Sequence, residues 1–133
     1  MRFLKSAFLA ILLILTFSIQ VFAEKREVPA NKSSVVLYSV VYDPETCGSQ
    51  GRPQTKINQG AAHGNIRFEW FAYKMGKSAY HCNGKPAHGM LVIYTPDKGY
   101  RGPDSIKFSL IGSGGPGPGY SISKTYRYDL TVK

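Results

Sequence analysis

Hydrophobic and polar residues alternate with a period of two through most of this chain. Residues 65–73 set Ile66, Phe68, Trp70 and Ala72 on one side and Arg67, Glu69, Phe71 and Tyr73 on the other, the pattern of a strand with one buried face. Trp70, the only tryptophan, is expected in the core. Residues 90–95 alternate Met90, Val92 and Tyr94 with Leu91 and Ile93, and residues 105–110 alternate Ile106, Phe108 and Leu110 with Ser105, Lys107 and Ser109. A last strand over residues 121–132 points Tyr126, Tyr128, Leu130 and Val132 one way and Arg127, Asp129 and Thr131 the other. Residues 34–42 are β-prone and apolar on both faces, as in a first or central strand. Short strands are expected at residues 55–58, around Ile57, and at 78–82. No segment beyond the N-terminal region has helical periodicity of useful length. Turn signals, such as Asp43-Pro44-Glu45-Thr46 and Asn83-Gly84, separate the runs. About seven strands at this spacing predict an all-β sandwich.

The stretch between the strands at 90–95 and 105–110 is the most distinctive. Pro96 cannot donate to a ladder and ends the first strand. Gly99 and Gly102 permit backbone angles a side chain forbids. Asp104 is expected to accept hydrogen bonds from nearby backbone N–H groups and close the turn. Tyr100, between the two glycines, is expected to plug the core with its hydroxyl at the surface.

These residues resemble the closing motif of the immunoglobulin-like and cadherin-like repeat modules of large bacterial surface proteins. The match lies in Tyr94-Thr95-Pro96 followed by Gly99-Tyr100-Arg101-Gly102-Pro103-Asp104-Ser105-Ile106, with Ala62-His63-Gly64-Asn65-Ile66 similar to the family's opening step. It covers about residues 55–133. The resemblance implies an immunoglobulin-like β-sandwich of about seven antiparallel strands, and it is weak for function. Relatives come in tandem with acidic calcium-binding linkers, whereas this chain has one copy, a basic charge and a cysteine pair.

Residues 1–23 stand apart. Arg2 and Lys5 precede an apolar run from Ala7 to about Phe17, and Val21-Phe22-Ala23 offers a cleavage site. This is the pattern of a secretory signal peptide, and the run is short for a membrane span. Residues 24–33 are polar and are expected to form a flexible mature terminus, leaving 34–133 as the sandwich domain. Export predicts a Cys47–Cys82 disulfide, stabilising by on the order of 3–4 kcal/mol in the loop-closure picture. A reactive or metal-binding pair is the rival reading, and no Cys-x-x-Cys supports it.

Charge narrows the partners. The net charge is +9, and removing Arg2 and Lys5 leaves +7, because all eight acids lie after residue 23. A basic exported protein meets anionic lipids, polymers or acidic proteins. The cations are scattered, with no run longer than Lys25-Arg26, which disfavours nucleic acid.

Reactive chemistry is sparse. The histidines are His63, His81 and His88, and in an extended strand His81 and Cys82 point to opposite faces. No zinc spacing, calcium string or Gly-x-Ser-x-Gly elbow occurs. We expect no catalytic residues, no metal and no cofactor. Gly112 to Gly119 reads either as a recognition loop or as a tolerated flexible insertion.

The expected function is an exported, non-enzymatic binding or adhesion module of the bacterial cell envelope, in the periplasm or outside the cell, that contacts an anionic surface or polymer. Candidate binding residues near loops are Tyr80, Lys85, Tyr100, Arg101 and Tyr120. The alternative is a protein-interaction module, as inhibitor, chaperone or structural subunit, with an acidic protein partner.

Overall fold

A computed structural model describes residues 22–49, 51–113 and 121–133. The signal-like segment up to residue 21, residues 114–119 of the Gly/Pro-rich loop and Tyr120 lie outside the described residues. Seven strands form: β1 Glu24–Val28, β2 Ser34–Val41, β3 Gln54–Gln59, β4 Gly64–Lys74, β5 Pro86–Pro96, β6 Gly102–Ser113 and β7 Ser121–Val132. They make two sheets, ordered β1-β7-β6-β3 and β2-β5-β4. One disulfide joins Cys47 to Cys82.

Alternation sets the interior as expected. Met90, Val92 and Tyr94 of β5 are fully buried and face Ile106, Phe108 and Leu110 of β6 and Tyr128, Leu130 and Val132 of β7. Each such aliphatic or aromatic side chain contributes about 1.5–3 kcal/mol by leaving water. β2 carries a bulge between Val35 and Leu37, so Val36 is buried and Leu37 packs against the same core. Trp70 is only partly buried and stacks on His88, with ring centroids 5.4 Å apart.

Two expectations fail. The stretch from residue 24 is no flexible terminus: Glu24–Val28 runs beside residues 128–132 of β7, in parallel rather than antiparallel. Backbone pairing along the open edge of β7 drives this, not side-chain burial, since only Val28 of the five is buried. Ion pairs from Arg26 to Glu24 at 2.7 Å and from Lys133 to Glu27 at 2.5 Å decorate the exposed side. The hydropathy pattern missed this strand because an edge strand with a solvated face can be polar. Residues 78–82 are not a strand either. Lys77–Cys82 is a 3₁₀ turn inside the β4–β5 hairpin, closed by the Gly84 N–H on the Met75 carbonyl at 2.7 Å. Within this turn the Cys82 Cα lies 5.4 Å from that of Cys47, an ordinary disulfide separation.

The corner after β5 ties the sheets together. Asp104, on β6, accepts from four donors. Its Oδ1 takes the N–H groups of Ala62 at 2.9 Å and Ser105 at 2.8 Å. Its Oδ2 takes the His63 N–H at 3.1 Å and the Tyr94 hydroxyl at 2.8 Å. Three of these donors belong to the other sheet or to the loop leading into it, so the carboxylate closes more than its own turn. Tyr100 stacks on His63 at 4.0 Å, and its hydroxyl donates to the Pro103 carbonyl. Gly99 and Gly102 adopt φ of 79° and 133°, and the Gly99 N–H donates to Asn31 Oδ1 at 2.7 Å.

Burial raises the Asp104 carboxyl, but the Tyr94 hydroxyl and the N–H groups of Ala62, Ser105 and His63 outweigh it and hold the group below its ordinary value. Burial, then the hydrogen bond to Asp104, pushes the Tyr94 phenol well up. A depressed folded-state carboxyl contributes stability above its unfolded value of about 4 and loses it as pH falls through the folded value. Asp104→Asn is therefore expected to cost about 2–4 kcal/mol at neutral pH, read by urea unfolding. It should also flatten the loss of stability below about pH 4 that the native carboxylate is expected to cause. An unchanged acid limb would remove Asp104 from this role.

Candidate functional site

The outward face of the three-stranded sheet carries a cluster of three aromatic rings, Tyr38, Phe71 and Tyr73. Cross-strand register sets its rungs: Tyr38–Leu91–Glu69, then Val40–Gly89–Phe71, with Ala87–Tyr73 beyond. Neighbouring outward positions lie close enough for rings to touch. Tyr38 meets Phe71 at 5.4 Å and Tyr73 at 6.4 Å, and Phe71 meets Tyr73 at 5.7 Å. Tyr38 is 52% exposed, while Phe71 and Tyr73 are half-buried.

Gly89 makes this arrangement possible. A Cβ there would fall 2.8 Å from Phe71 Cζ and 3.0 Å from the Ser39 carbonyl oxygen. Without one, the Phe71 ring lies down across β5 toward Tyr38. The rings border a groove of about 370 Å³ lined by Tyr38, Val40, Tyr42, Tyr73, Lys74 and Met75, and by the start of the 3₁₀ turn. Burial, then the neighbouring Tyr38 and Tyr42, raises the Tyr73 phenol, so its hydroxyl stays protonated and can donate.

A second, smaller core walls the end of this groove. Cys47, Met75, Cys82 and Ala87 are buried together, with Tyr42, Tyr73 and Ala79 packed against them. Two of the three non-glycine residues with positive φ sit here, Cys47 at 60° and Tyr80 at 52°. Such conformations cost of order 1–3 kcal/mol, and the disulfide holds them. Tyr80 is 85% exposed.

The candidate residues near loops do not form one site. Tyr80 and Lys85 sit beside the disulfide, before β5. Tyr100 and Arg101 follow its far end. β5 has 11 residues, so roughly 35 Å separates the two groups. Tyr100 is occupied in the corner against His63. Pro96, Gly99, Gly102 and Asp104 belong to that same structural corner. The aromatic cluster of Tyr38, Phe71 and Tyr73 was not singled out as a site, although Phe71 and Tyr73 fall on the polar side of the β4 alternation. That was the available signal.

His81 and Cys82 do not point apart as they would in a strand. The 3₁₀ turn brings donor atoms of His81, Cys47 and Cys82 within 4.8 Å of one another. Both sulfurs are bonded to each other, so neither offers the thiolate that a metal ion needs.

No family model and no curated protein matches the sequence. Among solved structures, the chain is similar to the solution structure of Amebosin, with 10% sequence identity and a TM-score of 0.46, covering 82% of this chain and 88% of that one.

The role given to Gly89 predicts a specific lesion. Gly89→Ala is expected to displace the Phe71 ring and cost about 1–3 kcal/mol, as overpacking does. Gly76→Ala, where a Cβ meets nothing within 4 Å, should stay within about 0.5 kcal/mol. Thermal unfolding of the two variants compares them directly, and equal effects would refute the packing account.

Proposed function

We propose that this chain is an exported, non-enzymatic binding module that lays an anionic polymer of the cell envelope across the aromatic face of its three-stranded sheet. The observation that carries this reading is the contiguous set Tyr38, Phe71 and Tyr73, partly exposed on one sheet face beside a groove that Lys74 lines. Arg67 and Lys74 lie on β4 and Lys85 follows the turn, all exposed. Aromatic faces offer stacking area to sugar rings, phenol hydroxyls offer hydrogen bonds, and cations attract acidic groups. Contiguous exposed apolar surface on a small domain marks an interaction site.

The address follows from the signal-like N-terminus and the disulfide, which suits an oxidising compartment. No helix of the described residues is long and apolar enough to cross a membrane. An immunoglobulin-like assignment of the sandwich draws support from its strand order, with the first strand parallel to the last and every other neighbour antiparallel.

The test is sedimentation of the purified protein with acidic and with neutral polysaccharides. Capture by the acidic polymer is expected to fall when salt rises to about 0.3 M. Tyr38→Ala is expected to weaken it roughly ten-fold or more, as removal of an aromatic anchor does, while the protein stays folded at the assay temperature, because Tyr38 is half exposed and the loss of its ring contacts costs only about 1–2 kcal/mol. Capture indifferent to both salt and Tyr38 would sink the proposal.

A further inference from the structure

Among the described residues, one side of the sandwich is left open. On β4 the inward-facing Ile66, Phe68 and Trp70 are only partly buried, although their β5 neighbours Met90, Val92 and Tyr94 are sealed at 0% exposure. Phe68 reaches to Phe108, with ring centroids 5.7 Å apart. The rung neighbour of Phe108 on β3 is Ile57, which shares its inward side yet is 50% exposed. Apolar side chains from both sheets therefore converge on an uncovered edge.

The β4 edge is also the longest of the four sheet edges among the described residues. β1 is five residues long. β2 and β3 are interrupted by irregularities in register. β4 runs 11 residues in unbroken register with β5, with no proline, and nothing among the described residues pairs with its outer side. Long regular edges of this kind are normally blunted unless another strand uses them.

We propose that a second copy of this chain occupies this edge, with β4 pairing antiparallel to β4 of its partner about a two-fold axis at Phe68. The charge pattern selects that register. A two-fold at Phe68 sets Arg67 of each copy opposite Glu69 of the other. Moving the axis one residue either way sets Arg67 against Arg67 or Glu69 against Glu69, and like charges directly opposite are unfavourable. Within one copy Arg67 and Glu69 are 3.3 Å apart and well exposed, at 60% and 48%, so both can turn to a partner. The same register pairs Ile66 with Trp70 and Phe68 with Phe68 on the inward side, covering the half-buried row. Residues 64–72 of each copy overlap. The two three-stranded sheets become one, with an aromatic cluster on each half of its outer face. A long ligand could then be held at two points.

The test is analytical ultracentrifugation of the purified, disulfide-bonded protein from about 1 μM to about 500 μM, where mass action moves a dimer into view. The expected result is a reversible dimer. Arg67→Glu and Glu69→Arg, each placing like charges opposite, should weaken it about ten-fold or more. The double exchange Arg67→Glu with Glu69→Arg should restore it to within about three-fold of the native protein. Both positions are exposed, so thermal unfolding at a concentration where the native protein is monomeric is expected to be unchanged and serves as the control for folding. A monomer throughout the range overturns the proposal. So does a dimer indifferent to the single reversals, or one that the double exchange fails to rescue. None of these outcomes depends on polysaccharide capture.

Discussion

The hydrogen-bonded carboxylate of Asp104 is the constraint on which the relation between the two sheets depends. Apolar burial gives the sandwich its cohesion but has no direction, so packing alone does not fix how one sheet sits over the other. Asp104 supplies direction. Its two oxygens collect donors from β5, from the loop entering β4 and from its own strand. A buried charge is tolerable only when its hydrogen-bonding capacity is met, and every buried side-chain polar atom among the described residues has a partner. The carboxylate therefore penalises any arrangement in which Tyr94 or the Ala62–His63 backbone moves away.

The opposite end of the molecule is fixed differently. There the Cys47–Cys82 bond holds a loop and a 3₁₀ turn over Ala87 and builds a small core around Met75. β5 runs between the two anchors and contributes Gly89 at its middle. The aromatic side chains of β2 and β4 thus flank a central strand secured at both ends, and the Phe71 ring settles over the one position on β5 where no Cβ stands. A surface held this way has little conformational freedom left to lose, which is what the proposed binding role would draw on. The half-covered inward row of β4 has the reverse character: among the described residues its packing is incomplete.

Parts of the site were readable from sequence and parts were not. Phe71 and Tyr73 appear on the side of β4 that also carries Arg67 and Glu69, so their outward direction follows from parity. That Tyr38 joins them does not, because the pairing of β2 with β5 contains a bulge that sequence does not announce. Tyr80, Lys85, Tyr100 and Arg101 drew attention as aromatic or cationic residues near loops, yet proximity to loops says nothing about which end of a sandwich a loop occupies. His81 and Cys82 would lie on opposite faces of a strand, but the segment forms a 3₁₀ turn that brings both beside Cys47.

By itself the sequence determined the all-β class, the inward set of β5, β6 and β7, the glycine and proline positions of the corner, and the cysteine pair. These follow from local rules: period-two alternation, the backbone limits of proline and glycine, and the oxidation expected of two lone cysteines behind a signal-like N-terminal segment. Tertiary structure alone decided the remainder. It made a strand of the polar residues 24–28, because an unpaired edge of β7 needed backbone partners. It gave Asp104 donors about 40 residues away in the chain, at Ala62 and His63. And it assembled Tyr38, Phe71 and Tyr73 into one face, because strand order and register set which side chains become neighbours, and both depend on contacts far apart in the chain.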